Sequence, residues 1–446
     1  GTKEGCAEGD CGACTVVVGE PRDKAIAWRS VNSCIRFLPT LDGKEVVTVE
    51  GLAGDEGKLH PVQQAMLDCD ASQCGFCTPG FVMSLFGLYL ETPKVDKAAV
   101  LDAIAGNLCR CTGYRPIIEA GLRMHEYPPP KRWSRRDAQS RERLRRLSAL
   151  RGKESLETPG FAAPRTLDAL AAHYAAKPDS LVLAGATDIG LWVTKQLRDL
   201  PPLLYVGEVP ELKTVKQRGD ALEIGAAVPL AEAWAAIVAK VPALAEIANR
   251  FGSPPIRHSG TLCGNLANGS PIGDSMPALI ALGASVKLRR GKKIRSLPLE
   301  SLYLGYQKKA LGRGELIVSV VVPIKARVRV ASYKVSKRFD QDISSVCSAY
   351  AVEVSGDRIA SARIAYGGMA PVPKRAPKAE AALLGKPWTR ETFADAAAAL
   401  AEDYQPISDL RATGAYRMQV AQNLLQRFFH ENSEKPPTTR VHAVQP

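Results

Sequence analysis

No stretch of the 446-residue sequence reaches the roughly 18 uninterrupted apolar residues of a membrane-spanning helix. Aromatic residues are scarce, at 6%, and the basic segments show neither aromatic interleaving nor a binding motif, so the net charge of +13 does not point to nucleic acid. The G-x-G-x-x-G fingerprint of a Rossmann fold is missing as well. The chain opens on Gly1 without an initiator Met or a signal-like segment, and this start reads as lying inside a domain whose first strands come earlier. A soluble, cytoplasmic protein is expected. Cysteine is present but odd in number, at 11, and its close pairs with intervening glycines read as ligand loops, not as a secreted disulfide framework. With 46% hydrophobic residues the chain can bury large cores and should divide into about three domains.

What is there begins with two cysteine quartets. Cys6, Cys11, Cys14 and Cys34 are separated by four, two and 19 residues, the plant-type ferredoxin pattern for a 2Fe-2S cluster. Its glycines let the loop wrap an inorganic core while backbone N–H groups point at sulfur. Zinc is the rival, but structural zinc sites usually draw two cysteines from each of two knuckles, whereas three thiols crowd this one loop. Strand-like runs at Thr15–Val18 and Val46–Val49 flank it. The second quartet, Cys74, Cys77, Cys109 and Cys111, joins two close pairs across 31 residues. Thr78-Pro79 reads as an N-cap and first turn ahead of a buried helix through Glu91, Asp96 as the cap of a second helix ending near Gly106, and Pro116 as the restart of a third. A second one-electron centre is the natural inference. Cys69, Cys263 and Cys347 read as small apolar core residues.

Much of the charge is local. Residues 131–153 hold ten Lys or Arg against two acids, a net +8 of the +13, directly after Pro128-Pro129-Pro130. This reads as a solvated basic linker, with docking on an acidic partner as the sharper alternative; Leu144, Leu147 and Leu150 allow an amphipathic turn or two. Beyond it, Pro164 to Pro323 alternates strand-like and helical runs and carries two glycine-rich segments, Leu181–Asp188 and Gly260–Asp274, of the kind that can place N–H groups on a pyrophosphate. Tyr333–Asp342 reads as a charged hairpin, Ala365–Ala370 as a strand entering a turn, and Thr392–Leu400 as a packed helix; the end beyond Glu434 reads as frayed.

Both quartets in their settings, Gln73-Cys74-Gly75-Phe76-Cys77-Thr78-Pro79-Gly80 and Gly106-Asn107-Leu108-Cys109-Arg110-Cys111-Thr112-Gly113-Tyr114, resemble the molybdenum hydroxylase family, and the two later segments resemble its FAD-binding loops in the same order. Within that family the layout is similar to the iron-sulfur/FAD small subunit of bacterial purine-oxidising members. The resemblance implies a multidomain α+β fold: a plant-type ferredoxin-like β-grasp domain over 1–56, a four-helix 2Fe-2S domain over 57–130, the basic linker over 131–157, an α+β FAD-binding domain of the molybdenum hydroxylase/vanillyl-alcohol-oxidase type over 158–325, and a C-terminal α/β flavoprotein domain over 328–432.

Carried over by position, Val182, Leu183, Ala184, Gly185, Ala186, Thr187, Asp188 and Ile189 would hold the FAD pyrophosphate, continued by Thr261, Gly264 and Asn265. Asp274 would bond ribityl or ribose hydroxyls, Phe251 would lie by the flavin, Lys378 would contact FAD, and Gln73 would approach a pterin on the partner. Ala186 and Cys263 depart from the glycines of many relatives. The implied cofactors are two 2Fe-2S clusters and FAD, with NAD+ as co-substrate and molybdopterin-molybdenum on a large partner subunit, in a heterotetramer of two small and two large chains. The implied role is to pass electrons from the partner's molybdenum centre through the clusters to FAD, and as hydride to NAD+, while hypoxanthine and xanthine become urate. FAD is needed because NAD+ accepts only a hydride and each cluster carries one electron. No residue is assigned to catalysis itself. The alternatives are a redox module without turnover and a same-layout subunit of a hydroxylase acting on another N-heterocycle or an aldehyde.

Overall fold

The computed structural model describes residues 1–22, 24–53, 57–152 and 154–439. Strand β1 (Thr15–Arg22) lies between β2 (Ala25–Asn32) and β3 (Glu45–Val47) in an antiparallel sheet. Its valines alternate: Val17 joins the core of the helical region, whereas Val16 and Val18 pack with Val31 on the opposite face. Four helices follow, α1 (Pro61–Asp68), α2 (Thr78–Glu91), α3 (Lys97–Ile104) and α4 (Arg115–Arg123). Asp96 caps α3 by accepting the Ala99 N–H at 2.8 Å. The α2 start differs from the expected one: Cys77 takes the N-cap position and Thr78 is already helical, its hydroxyl sharing a hydrogen bond with Ser72 at 2.7 Å. Pro79 still falls in the first turn, where no N–H is required.

The segment expected to be a solvated linker is instead a docked strap. It forms α5 (Arg135–Ala138) and α6 (Arg141–Leu150), capped by Ser134 and Ser140. Trp133, 2% exposed, packs edge-on against Trp28 and Phe86 and donates its indole N–H to the Gly51 carbonyl at 2.8 Å. Gln139 bonds both the N–H and the C=O of Ile26 with its side-chain amide. The Arg143 guanidinium lies 4.3 Å from the Trp133 ring and pairs with Glu45 and Asp137. Counting charge misled because several of these cations are spent on internal partners, and because Trp133 and Ala138, more than the leucine row, anchor the segment; Leu150 is 69% exposed. Trp133→Ala is expected to destabilise the N-terminal half by about 3–5 kcal/mol. A first unfolding transition at clearly lower urea would register this, while Arg145→Ala, at an exposed pair with Glu142, should shift it by less than about 0.5 kcal/mol.

The next region starts with the hairpin β4 (Leu156–Thr158) and β5 (Phe161–Ala163), then α7 (Leu167–Ala176), β6 (Leu181–Leu183), α8 (Ile189–Thr194) and β7 (Leu203–Tyr205). Sheet order is β4-β5-β7-β6, with β7 parallel to both β5 and β6. Strands β8 (Val215–Arg218) and β9 (Ala221–Gly225) precede the helices α9 (Leu230–Lys240), α10 (Ala245–Asn249), α11 (Pro254–Ser259), α12 (Leu262–Asn268) and α13 (Ser275–Leu282). Then come β10 (Ser285–Arg290), β11 (Lys293–Pro298), the small hairpin β12 (Tyr303–Gly305) and β13 (Lys308–Lys309), and β14 (Leu316–Pro323). They complete an antiparallel sheet of order β11-β10-β14-β9-β8. Half of the segment expected to be an open glycine-rich loop is helix α12, where Thr261 accepts the Gly264 N–H at 3.0 Å and Leu262, Cys263 and Leu266 are buried. Its apolar side chains are too few and too closely flanked by glycine for the helical period to show in the sequence.

The C-terminal unit is a meander of β15 (Val328–Val335), β16 (Val346–Ser355), β17 (Arg358–Gly367) and β18 (Lys374–Arg375), followed by α14 (Pro377–Leu383), α15 (Arg390–Asp403) and α16 (Gly414–Glu431). The hairpin expected at Tyr333–Asp342 is the β15–β16 pair, and most of that decapeptide lies in its connecting loop. Phe393, Ala396 and Leu400 of α15 share a core with Tyr350 and Tyr366. Among the described residues, no helix is long and apolar enough to cross a membrane.

Candidate functional site

The N-terminal quartet lies on the loop before β1 and just past β2. Ala7, Gly9 and Gly12 take positive φ of 54°, 77° and 72°, coiling the loop around its sulfurs. The thiols meet as pairs: Cys14 and Cys34 at 3.2 Å between sulfurs, and Cys6 with Cys11, whose N–H also donates to the Cys6 sulfur at 3.3 Å. Contact with Cys34 lowers the Cys14 thiol to about 6, and the same contact raises Cys34. Burial pushes the Cys6 thiol up, but N–H donors at Cys11, Glu8 and Asp10 outweigh it and bring it down. Such a nest of donors suits an anionic iron-sulfur core.

The second quartet sits at helix ends. Cys77 N-caps α2, Cys74 precedes it, and Cys109 and Cys111 lie in the turn from α3 to α4. Here too the thiols pair, Cys74 with Cys111 and Cys77 with Cys109. Tyr114, left-handed at φ 68°, brings its hydroxyl back to accept the Cys109 N–H at 2.9 Å, and Thr112 bonds the Cys109 sulfur through both hydroxyl and N–H. Burial alone would raise Cys109, yet the Thr112 donors lower it; Cys77, lacking them, is pushed up to about 12 by burial. Among the described residues, no three His, Cys, Asp or Glu side chains close on one metal ion. Four thiols gathered as two pairs suit the two irons of a 2Fe-2S cluster. Cys69 belongs to neither quartet, its sulfur accepting from Arg123 at 3.5 Å, while Cys263 and Cys347 are buried in the core.

The quartets are stitched together. The N–H of Leu108, next to Cys109, donates to the Cys11 carbonyl at 2.9 Å, and the buried Asn107 amide reaches the Gly12 carbonyl at 3.1 Å while accepting from Ser84 at 2.6 Å. Gly12 is required there: a Cβ would stand 2.2 Å from the Gly106 carbonyl oxygen. At the other surface, Cys74 and Cys111 are exposed, flanked by exposed Phe76 and Leu108, and Gln73 is exposed beside them.

A cavity of about 930 Å³ opens between the two sheets of the central region and the β15–β16 loop. Val182, Ala184, Gly185, Ala186, Thr187, Asp188, Ile189, Phe251, Thr261, Gly264, Asn265 and Asp274 all line it. The glycine-rich segments cross at Gly185, where a Cβ would lie 2.1 Å from the Ser259 carbonyl oxygen. Ala186 adopts φ 66°. Burial raises the Asp188 carboxyl, and Asn265 Oδ1 is buried without a hydrogen-bond partner, a free acceptor in the cavity wall. The size, the close backbone approach and this unmet acceptor fit a dinucleotide-sized cofactor such as FAD. Two expected residues lie elsewhere. Leu183 points into the core with Phe161 and Tyr205, because neighbours on a strand face opposite ways. Lys378 is exposed in the first turn of α14, its backbone N–H donating to Asp403 at 3.0 Å.

Two other lysines line the cavity, Lys309 and the buried Lys334 of β15, which donates to Asp274 at 2.6 Å and to the Arg250 carbonyl at 3.3 Å. Asp274 also accepts from Ser344 at 2.5 Å, so its carboxylate is already held by two donors. A lysine inside the apolar run of β15 was the available signal, since a lysine in such a place must find a partner. Glu8, Gly9 and Asp10 of the first cysteine loop line the same cavity, and Gln341 of the β15–β16 loop, at φ 48°, donates to the carbonyls of Asp10 and Ala105 at 3.4 and 2.6 Å.

Three family models match the chain: a [2Fe-2S] binding domain over 48–122, the FAD binding domain in molybdopterin dehydrogenase over 155–325, and the CO dehydrogenase flavoprotein C-terminal domain over 331–432. Xanthine dehydrogenase of Emericella nidulans is 31% identical over 97% of this chain and 36% of its own length, and xanthine dehydrogenase 1 of Arabidopsis thaliana 30% identical over 100% and 39%. The chain therefore spans well under half the length of the curated relatives it matches. Among solved structures, carbon monoxide dehydrogenase from Hydrogenophaga pseudoflava aligns with TM-score 0.56 at 29% identity, and quinoline 2-oxidoreductase from Pseudomonas putida 86 with 0.54 at 28%. Each alignment covers 60% of this chain and 94% of the other. With its two cysteine quartets, its cavity and these matches, the chain belongs to the molybdenum hydroxylase family and carries that family's iron-sulfur and FAD-binding domains.

Proposed function

We propose that this chain is the electron-transfer subunit of a xanthine dehydrogenase, linking purine oxidation on a molybdopterin-bearing partner to reduction of NAD+. When bound, each 2Fe-2S cluster would carry one electron and FAD would gather two for delivery as hydride. The carrying observation is the succession of sites: the Cys74–Cys111 quartet with two exposed thiols and apolar flanks, the N-terminal quartet joined to it through Leu108 and Cys11, and a cavity walled partly by the N-terminal quartet's own loop. The residues of this chain hold and insulate. Cys6, Cys11, Cys14 and Cys34, and likewise Cys74, Cys77, Cys109 and Cys111, are the proposed cluster ligands; Thr112 and the N–H groups of the first loop stabilise thiolate charge. Thr187, the Gly185 turn and the Asn265 amide N–H would seat the FAD phosphates, the Asn265 Oδ1 would accept from a cofactor hydroxyl, and Phe251 and the Lys334–Asp274 pair would bound the flavin end. Exposed Cys74, Cys111, Gln73, Phe76 and Leu108 suit a face covered by the partner, in an assembly of two copies of each chain. We place the chain in the cytoplasm, where thiols that serve as cluster ligands stay reduced.

Likeness to carbon monoxide dehydrogenase and quinoline 2-oxidoreductase supports a second reading, a sister hydroxylase with the same electron-transfer parts. The separating experiment uses the purified complex. Xanthine-to-NAD+ turnover is expected, with four irons and one FAD per copy of this chain; oxidation of another heterocycle or an aldehyde, with xanthine inert, would favour the second reading. Cys109→Ser should abolish one of two distinct EPR signals and xanthine-to-NAD+ turnover while sparing NADH-to-dye activity. Full xanthine turnover in that variant would break the proposed order.

A further inference from the structure

A second, smaller cavity of about 60 Å³ lies at the seam between the N-terminal sheet and the central region, and its charged lining is mostly cationic. Arg22, Arg29, Arg36, Lys44 and Lys213 face it, and Glu20 is its one lining carboxylate. Lys213 is held by Glu20 at 2.6 Å, Arg22 and Arg29 by Glu232, and Lys44 by Glu208 at 3.4 Å. Arg36 has none of this. Among the described residues its side chain makes no hydrogen bond or ion pair, and its Nε is shut off from solvent without an acceptor. Five cations against three carboxylates leave an excess of two positive charges, although Glu208 is shared further with Arg151 and Arg165. His258, also lining the cavity, is held neutral by burial, which lowers it to about 4, and adds no charge near neutral pH.

A guanidinium whose Nε is buried without an acceptor, beside other cations, is costly unless an anion meets it. The geometry points to a binding site for a free tetrahedral oxyanion of charge near −2, inorganic phosphate or sulfate, received by Arg36 and shared with the surrounding cations. A guanidinium fork matches two oxygens of such an ion. The cavity has room for that ion and not for a nucleotide, and none of the five cations lines the larger cavity, although Ala184 and Thr261 touch both. Bound there, the ion would tie the loop carrying Cys34, two residues before Arg36, to the region that forms the larger cavity.

The test uses the cluster-loaded, FAD-saturated protein, so that phosphate cannot enter the larger cavity. Inorganic phosphate and sulfate should each raise the unfolding temperature saturably at constant ionic strength, with equilibrium dialysis giving one phosphate per chain. Arg36→Gln should weaken binding roughly tenfold or more, and Arg36→Lys should fall between. Because the Arg36 side chain has no protein partner among the described residues, neither variant should lose its clusters or FAD. An equal rise with chloride, an equal effect of adenosine monophosphate, or an Arg36→Gln protein that titrates like its parent would overturn the assignment.

Discussion

Asp274→Ala is expected to cost about 3–5 kcal/mol and to release FAD, because it strips the partner from a lysine that has nowhere to go. The side chains of Lys334 and Asp274 are 4% and 8% exposed, and without the carboxylate the ammonium keeps only the Arg250 carbonyl at 3.3 Å. Breaking one side of a buried pair leaves a bare charge in a poorly solvated place, whereas replacing both sides with apolar groups is often nearly neutral. The double variant Asp274→Leu/Lys334→Met should therefore regain most of the lost stability in FAD-free protein and still shed FAD on dialysis. Both EPR signals should persist in the single and the double variant. Undiminished stability and FAD retention in Asp274→Ala would remove the pair from any role in the cavity.

Acid should destabilise this chain steeply, and two histidines account for much of it. His60 caps α1, its Nδ1 accepting the Val62 N–H at 3.2 Å, and is enclosed by Phe86 and Tyr89. His258 of α11 places Nδ1 3.0 Å from the Ser30 carbonyl oxygen, across the seam to β2. Burial lowers each to about 4. The sign follows from proton uptake: the unfolded chain binds protons at these positions below about 6.5, and the folded chain refuses them until about 4. Stability is thus full above pH 6.5 and falls as pH drops towards 4, by about 2–3 kcal/mol per histidine. Denaturant midpoints at pH 7.5 and 5.0 would show the loss, and His60→Gln should flatten the slope. A midpoint that does not change over that range would mean both imidazoles are charged in the fold.

The gathering of each cysteine quartet was legible in sequence because ligation to a small inorganic core would fix spacing, and spacing survives without any knowledge of packing. The same holds for most of the cavity wall, where glycine at 185 and the amide at 265 mark close backbone approach and an unmet acceptor. Lys378, expected at FAD, and Lys334, which lines the cavity, look alike in sequence because a single lysine carries no period: only the burial of β15 distinguishes the inward ammonium from the solvated one. Helix α12 was read as loop because glycine and asparagine masked its short apolar face. The strap was missed for a different reason. Charge density describes how a segment would behave in water, whereas Trp133 is buried and Gln139 and Arg143 are tied to protein partners.

That strap alters what connectivity means for this molecule. Its helices lean on β2, the loop after β3 and the end of α2, and Arg151 continues to Glu208 on the far side, so that non-covalent contacts span the same gap as the peptide chain. The backbone between 130 and 156 is mechanically redundant: with the chain severed in this basic stretch, the two pieces would still be one particle, held by the seam and by the strap's own anchors. Covalent continuity between the iron-sulfur and flavin regions is in this sense a matter of matched supply, one of each per copy, more than of cohesion.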